Sequence, residues 1–151
     1  MGNVVFDFAK GRWIDKCALP VGGDTIIVVL LQSSGLQADA TLVTYQYLSQ
    51  LTAAGNLEAT FTNYTRSSIT GVGITITVNT GTNVTSVSIP SQVWNSAGGA
   101  TNNALGALLT CYKPSSGSPD SAIQLLTKHD FVASTTGGNL TATITTIATA
   151  T

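Results

Sequence analysis

From Ser67 through Tyr112 the chain carries no lysine, arginine, histidine, aspartate or glutamate. Solvent-facing surface normally uses charge to stay soluble. Here Thr, Ser and Asn supply the polarity, and 24 of the 151 residues are threonine. Threonine is β-branched and suits a pleated strand. The stretch therefore reads either as a neutral, hydroxylated β surface or as surface covered by another subunit. Interface cores avoid charge and use aromatic anchors, and Trp94 lies inside the stretch. A lone Trp is more often part of its own chain's core.

A length of 151 residues is one ordinary domain, enough to bury about 68–70% of the surface its unfolded chain exposes. Charged residues are 9% of the chain, against about 25% in a typical soluble domain. Six scattered cations against seven carboxylates, a formal net charge of −1, do not make the basic stripe that a nucleic-acid binder needs. With 43% hydrophobic residues, the chain is not a disordered tail. Two cysteines, Cys17 and Cys111, make neither a disulfide scaffold nor a four-thiolate zinc site. Charges interrupt the N-terminus too often for a signal-peptide core, and the longest aliphatic run, Ile26 to Leu31, is too short for a membrane span. The expectation is a soluble chain used without secretion, with no nucleic-acid or membrane partner. Its glycosylation-like triplets at Asn63, Asn83 and Asn139 are then chance matches in a Thr-rich sequence.

Strands dominate the pattern. Thr25 to Gln32 is β-branched and apolar on both faces, as in a central strand covered on two sides. Leu105 to Tyr112 repeats that character, and Ala122 to Leu126 is a shorter run. Gly73 to Asn79 alternates, which predicts a half-buried strand with Ile74, Ile76 and Val78 inward. Thr80-Gly81-Thr82 turns the chain, and Val84 to Ile89 returns with Val87 and Ile89 inward, a hairpin with a loop of about five residues. Pro90 ends that strand or places it on an edge. Asn139 to Thr145 alternates with Leu140, Ala142 and Ile144 on one side, and Ile147 falls out of phase. Thr44 to Ala54 is the one convincing helix, with Tyr45, Leu48 and Leu51 on one face, Thr44 as cap and Gly55-Asn56 as stop. Gly-rich turns between short strands favour an antiparallel β-sandwich or barrel-like single domain, mainly β, with one short helix. Residues 1–20 read as an N-terminal arm or edge strand, 21–145 as the β-rich domain, and 146–151 as a C-terminal arm.

The inventory for chemistry is thin, and the expectation is a protein that is not an enzyme and holds no cofactor or metal. Lys128-His129-Asp130 is the only charged triplet, but neighbours on a strand point to opposite faces, so His129 and Asp130 form no relay. No Gly-x-Ser-x-Gly elbow, Walker loop or dinucleotide fingerprint is present; Gly71-Val72-Gly73 precedes a strand rather than following one. Asp24, Asp39, Glu58 and Asp120 are isolated in sequence, without calcium-loop spacing. Cys17 and Cys111 are expected to be reduced. Between Asp7 and Lys16 charges interleave with Phe6, Phe8 and Trp13, a composition for docking on a partner or for an edge strand with charges on its outer face. The candidate contact residues are Phe6, Phe8, Arg12, Trp13 and Trp94.

Several stretches resemble a group of small tailed-bacteriophage proteins encoded among virion genes. They are Phe8-Ala9-Lys10-Gly11-Arg12 and the segment from Ile27 to Leu42. Asn63-Tyr64-Thr65-Arg66, Ile89-Pro90 through Gln92 and Trp94, Leu108 to Tyr112, and Leu126-Thr127 with His129-Asp130-Phe131 continue it. The likeness spans most of the chain and departs from Ala133 to Thr151, which is rich in Thr and Ala. The resemblance implies a place, the phage particle assembled in the host cytoplasm, and no catalytic residues. With a neutral β domain it leads to the expectation of a capsid decoration or cement subunit. Such a subunit would contact the major capsid protein or other virion subunits and be homo-oligomeric in the particle. The alternatives are a tail or head-to-tail junction component, and a carbohydrate-binding module that stacks sugar on Trp94 or Tyr112 beside Asn102 and Asn103.

Overall fold

The computed structural model describes residues 2–19, 21–99, 104–144 and 146–150. The fold is mainly β, antiparallel and sandwich-like. A five-stranded sheet contains β1 (Val4–Val5), β2 (Thr25–Gln32), β3 (Ser67–Ile69), β7 (Ala104–Lys113) and β8 (Gln124–Ser134) in the order β1-β8-β7-β2-β3. A three-stranded sheet has the order β10-β5-β4, from β4 (Thr75–Asn79), β5 (Val84–Ser88) and β10 (Ala148–Ala150). β6 (Gln92–Trp94) and β9 (Leu140–Ala142) form a ribbon.

The centre follows the apolar runs. β2 is buried from Ile26 through Gln32, and β7 from Leu105 through Tyr112. They pair antiparallel, Val29 opposite Leu109, and the burial of consecutive residues shows that each is covered on both faces. Lys128 and His129 on β8 mark those two faces. Lys128 reaches Asp39 in the short helix α2 (Asp39–Leu42), whereas His129 lines a cleft shared with Thr146 and Ile147 of the C-terminal segment. A bulge falls at Gly106, between Leu105 and Ala107. A Cβ there would lie 2.8 Å from Leu36 Cδ2 and 3.0 Å from Ser33 Cα, so this close approach of chain to strand requires glycine.

The helical content differs from the single expected helix. α1 (Trp13–Cys17) buries Trp13 and Cys17, and α2 buries Leu42. Each is about one turn, too short to show periodicity. The expected helix is α3, Leu48–Ala53, and starts four residues late. Tyr47 is still extended, bridged to Gln124, and Gln50 Oε1 accepts the N–H groups of Gln46 and Tyr47. The stop is as read, with Gly55 at φ +92°.

Three further expectations change. The run read as Ala122 to Leu126 is the start of β8, which continues to Ser134 through the charged triplet. The hairpin of β4 and β5 has the expected turn, closed by Asn79 Oδ1 accepting from Gly81 and Thr82. β4, however, is exposed on both faces rather than half-buried. Only β5 turns Val87 into the core, with Ile89 following. Finally, the N-terminal segment follows the edge-strand alternative, and the C-terminal segment is not a free arm. β1 is an edge strand on β8, with Phe6, Ala9 and Trp13 in the core, and β10 is zipped to β5 behind buried Ile147.

Candidate functional site

The carboxylates that look isolated in sequence are each engaged within the fold. Arg66, just before β3, is gripped from two sides. Its Nε and Nη2 donate to Glu58 at 2.8 and 2.6 Å, and its Nη1 and Nη2 donate to Asp120 at 2.6 and 3.0 Å. The Tyr64 hydroxyl donates to Glu58 at 2.8 Å and accepts the Leu30 N–H at 3.1 Å. These bidentate contacts are the geometry for which guanidinium is suited. The bonds to Arg66 hold Asp120 below the usual carboxylate range, and those to Glu58 and Asp120 raise Arg66. Burial, with Glu58 beside it, raises Tyr64.

A second cluster fixes the N-terminus. Lys128 is fully buried, and its ammonium donates to Asp39 at 2.9 Å, to the Gly2 carbonyl at 2.8 Å and to Asp130. The Gly2 N–H donates to Asp39 at 2.6 Å, and the Asp130 N–H to Asn3 at 3.0 Å. A buried ammonium is tolerable only when paired and hydrogen-bonded, and here it also pins the first strand. Desolvation pushes Asp39 up, but the bonds from Lys128 and Gly2 outweigh it and the group ends below its ordinary value. Asp24, also buried, accepts from the Tyr112 hydroxyl at 2.7 Å and from the Val21 N–H at 3.0 Å. Burial, then this bond to Asp24, pushes Tyr112 up to about 12.

His129 lines two adjoining clefts of about 270 and 250 Å³, which share Asn3 and Thr146. Its Nε2 bonds the Thr127 hydroxyl at 2.9 Å, which in turn meets the Thr110 hydroxyl at 2.5 Å. The Asp130 carboxylate pairs with Lys128 instead of orienting the imidazole. Desolvation, then the charge of Lys128, lowers His129 against the opposing pull of Asp130. Among the described residues, no carboxylate orients this imidazole as in a catalytic base. Cys17 and Cys111 are both free and buried; burial pushes Cys17 up to about 12 and Cys111 further. Among the described residues, no group of three His, Cys, Asp or Glu is placed to hold a metal ion, and no helix is long and apolar enough to cross a membrane.

The candidate contact residues divide sharply. Phe6, Trp13 and Trp94 are 0%, 5% and 3% exposed. The Trp94 indole donates to the Thr65 carbonyl at 2.8 Å, and its ring lies 6.5 Å from Tyr64. These three aromatics anchor their own chain's core. Arg12 is exposed, its guanidinium 5.4 Å from the centre of the half-buried Phe8 ring, which also packs near Tyr47. Only this pair of the five presents surface to a neighbour. Tyr112 is buried as well, so neither it nor Trp94 offers a face on which to stack a sugar; Asn102 and Asn103 lie outside the described residues.

The surface that sequence reading missed is β4. It pairs with β5 along one edge, and among the described residues nothing pairs with the other. Val78 is 65% and Ile76 36% exposed, and Val72 projects fully from the preceding 3₁₀ turn, Gly71–Gly73. Alternation alone cannot separate such a ribbon from a half-buried strand, but its position inside the charge-free stretch was the available signal. The arrangement offers neutral backbone donors and acceptors beside small apolar side chains. That suits strand addition and packing. No family model, no curated protein and no solved structure matches the chain.

Proposed function

We propose that the chain is a bacteriophage virion structural protein, a capsid decoration or cement subunit that stabilises the head by protein–protein contacts. The observation that carries the docking role is the uncharged strand β4, exposed on both faces and open along one edge. The internal pairing of Arg66, Lys128 and their carboxylates supports a molecule that works by contact rather than conversion. The phage particle as the place rests on the resemblance of the stretches around Ile27–Leu42 and Leu126–Phe131. A stable joint of ordinary size buries about 1,600 Å² in total. With so little charge, docking should survive added salt, because screening acts on charge pairs.

Mass spectrometry of washed, DNA-filled particles tests this reading. The chain is expected to be retained through a high-salt wash, in copy number comparable to the shell subunit. A low copy number would move it to the tail or its junction with the head, and its absence would overturn the proposal. Deleting residues 1–16 is not a clean test, because it strips Phe6 and Trp13 from the core.

A further inference from the structure

We propose that β4 pairs edge to edge with β4 of a second copy of this chain, antiparallel about a two-fold axis at Thr77. The inference goes beyond the docking role and stands or falls on the isolated chain.

The edges of the fold are not alike. β1 is two residues long with Asp7 and Lys10 close behind it; β3 is three residues long and follows Arg66; β6 is three residues long and follows Pro90; β9 and β10, uncharged like β4, are three residues long each. Short length, charge and proline are the usual devices that stop an edge from recruiting another strand. β4 has none of them. It is five residues long, keeps an unbroken register with β5, and carries no charge or proline.

Its side chains also suit a second copy of itself. The sequence Thr75-Ile76-Thr77-Val78-Asn79 alternates polar and apolar over an odd number of residues. Reversed about Thr77, it sets Ile76 opposite Val78 of the second copy, twice, with Thr77 opposite Thr77 and Thr75 opposite Asn79. β-branched pairs and Thr–Thr pairs are favourable cross-strand neighbours. The match continues rows already built in the sheet. Ala148, Val87 and Ile76 lie side by side, as do Thr149, Ser86 and Thr77. Pairing extends the first row with an apolar residue and the second with a hydroxyl, and it brings no like charges together. Two three-stranded sheets then become one of six strands.

A five-residue strand is about 17 Å long, well short of the ~20–30 residues per side of a standard interface. The pairing is accordingly weak and concentration-dependent in solution, and stronger wherever copies are held side by side.

Sedimentation velocity over a concentration series, with the wild-type chain and two double variants, tests both the pairing and its register. Wild type is expected to shift from monomer to dimer as concentration rises. Ile76→Lys/Val78→Lys sets lysine against lysine twice and should weaken association by more than about tenfold. Ile76→Lys/Val78→Glu sets lysine against glutamate twice in this register alone, and should restore the dimer in a salt-sensitive form. Hydrogen exchange of the wild-type β4 amides needs no variant and should slow as concentration rises. A wild type that stays monomeric, β4 exchange independent of concentration, a double-lysine variant that associates like wild type, or a Lys/Glu variant no tighter than it would each overturn the pairing. None of these results bears on whether the chain is found in particles.

Discussion

The two main sheets draw on the same β-branched residues and put them to opposite uses. β2 and β7, in the large sheet, are apolar on both faces and sit between strands, so nearly every side chain is buried. β4, in the small sheet, alternates apolar and polar and has one strand beside it, and all five of its residues are exposed. Charge follows the same division. The large sheet is held at its margins by the Arg66 and Lys128 clusters, whereas the small sheet contains no ionisable side chain. Hydrophobic pattern therefore specifies that a strand forms, while its neighbours specify whether the strand is core or surface.

If that contrast is right, substitutions in the large sheet should be severe and those in β4 mild. Leu108→Ala, at a fully buried position of β7, should cost about 4 kcal/mol by opening a cavity, read by chemical denaturation. Lys128→Ala should cost about 3 kcal/mol, because it leaves Asp39 and Asp130 without their cation. It should also raise hydrogen exchange at the β1 amides, since it unpins Gly2. Gly106→Ala should cost about 2 kcal/mol through collision with Leu36 and Ser33. Loss of less than half of any of these would blur the distinction between the sheets.

Acid provides a subtler probe. His129 has a lowered pKa in the fold, so the folded state favours the neutral ring. Its contribution is present above the unfolded value near 6.5 and is lost as pH falls through the folded value. Asp39 and Asp120, also lowered, act the same way from about pH 4 downward. Tm should thus decline in two stages on acidification, and His129→Gln should remove the first. Smallest of all, Val78→Thr should change stability by less than about 0.5 kcal/mol. A large loss there would mean that β4 contributes to the core after all.

Legibility in sequence followed length and context. β2, β7 and the hairpin turn were readable because apolar runs and Gly-Thr punctuation are local signals. α1 and α2 were not, because one turn of helix leaves no period to detect. β8 was read too short because a buried lysine looks like a strand end until Asp39, brought by the fold, joins Asp130 of the same strand in neutralising it. Phe6, Trp13 and Trp94 were legible as anchors but not as whose anchors they are. Aromatics of a core and of an interface have the same composition, and only packing distinguishes them. The open edge of β4 depends on which strand is missing beside it, which no local pattern contains.

The most direct measurement for the central claim is a reconstruction, by electron microscopy, of the bacteriophage particle in which the proposal places this chain. The account predicts density for the chain at a joint between subunits, with β4 covered and no ligand density in the clefts beside His129. Density that leaves β4 open to solvent while another face makes all the contacts, or no density for the chain at all, would contradict it.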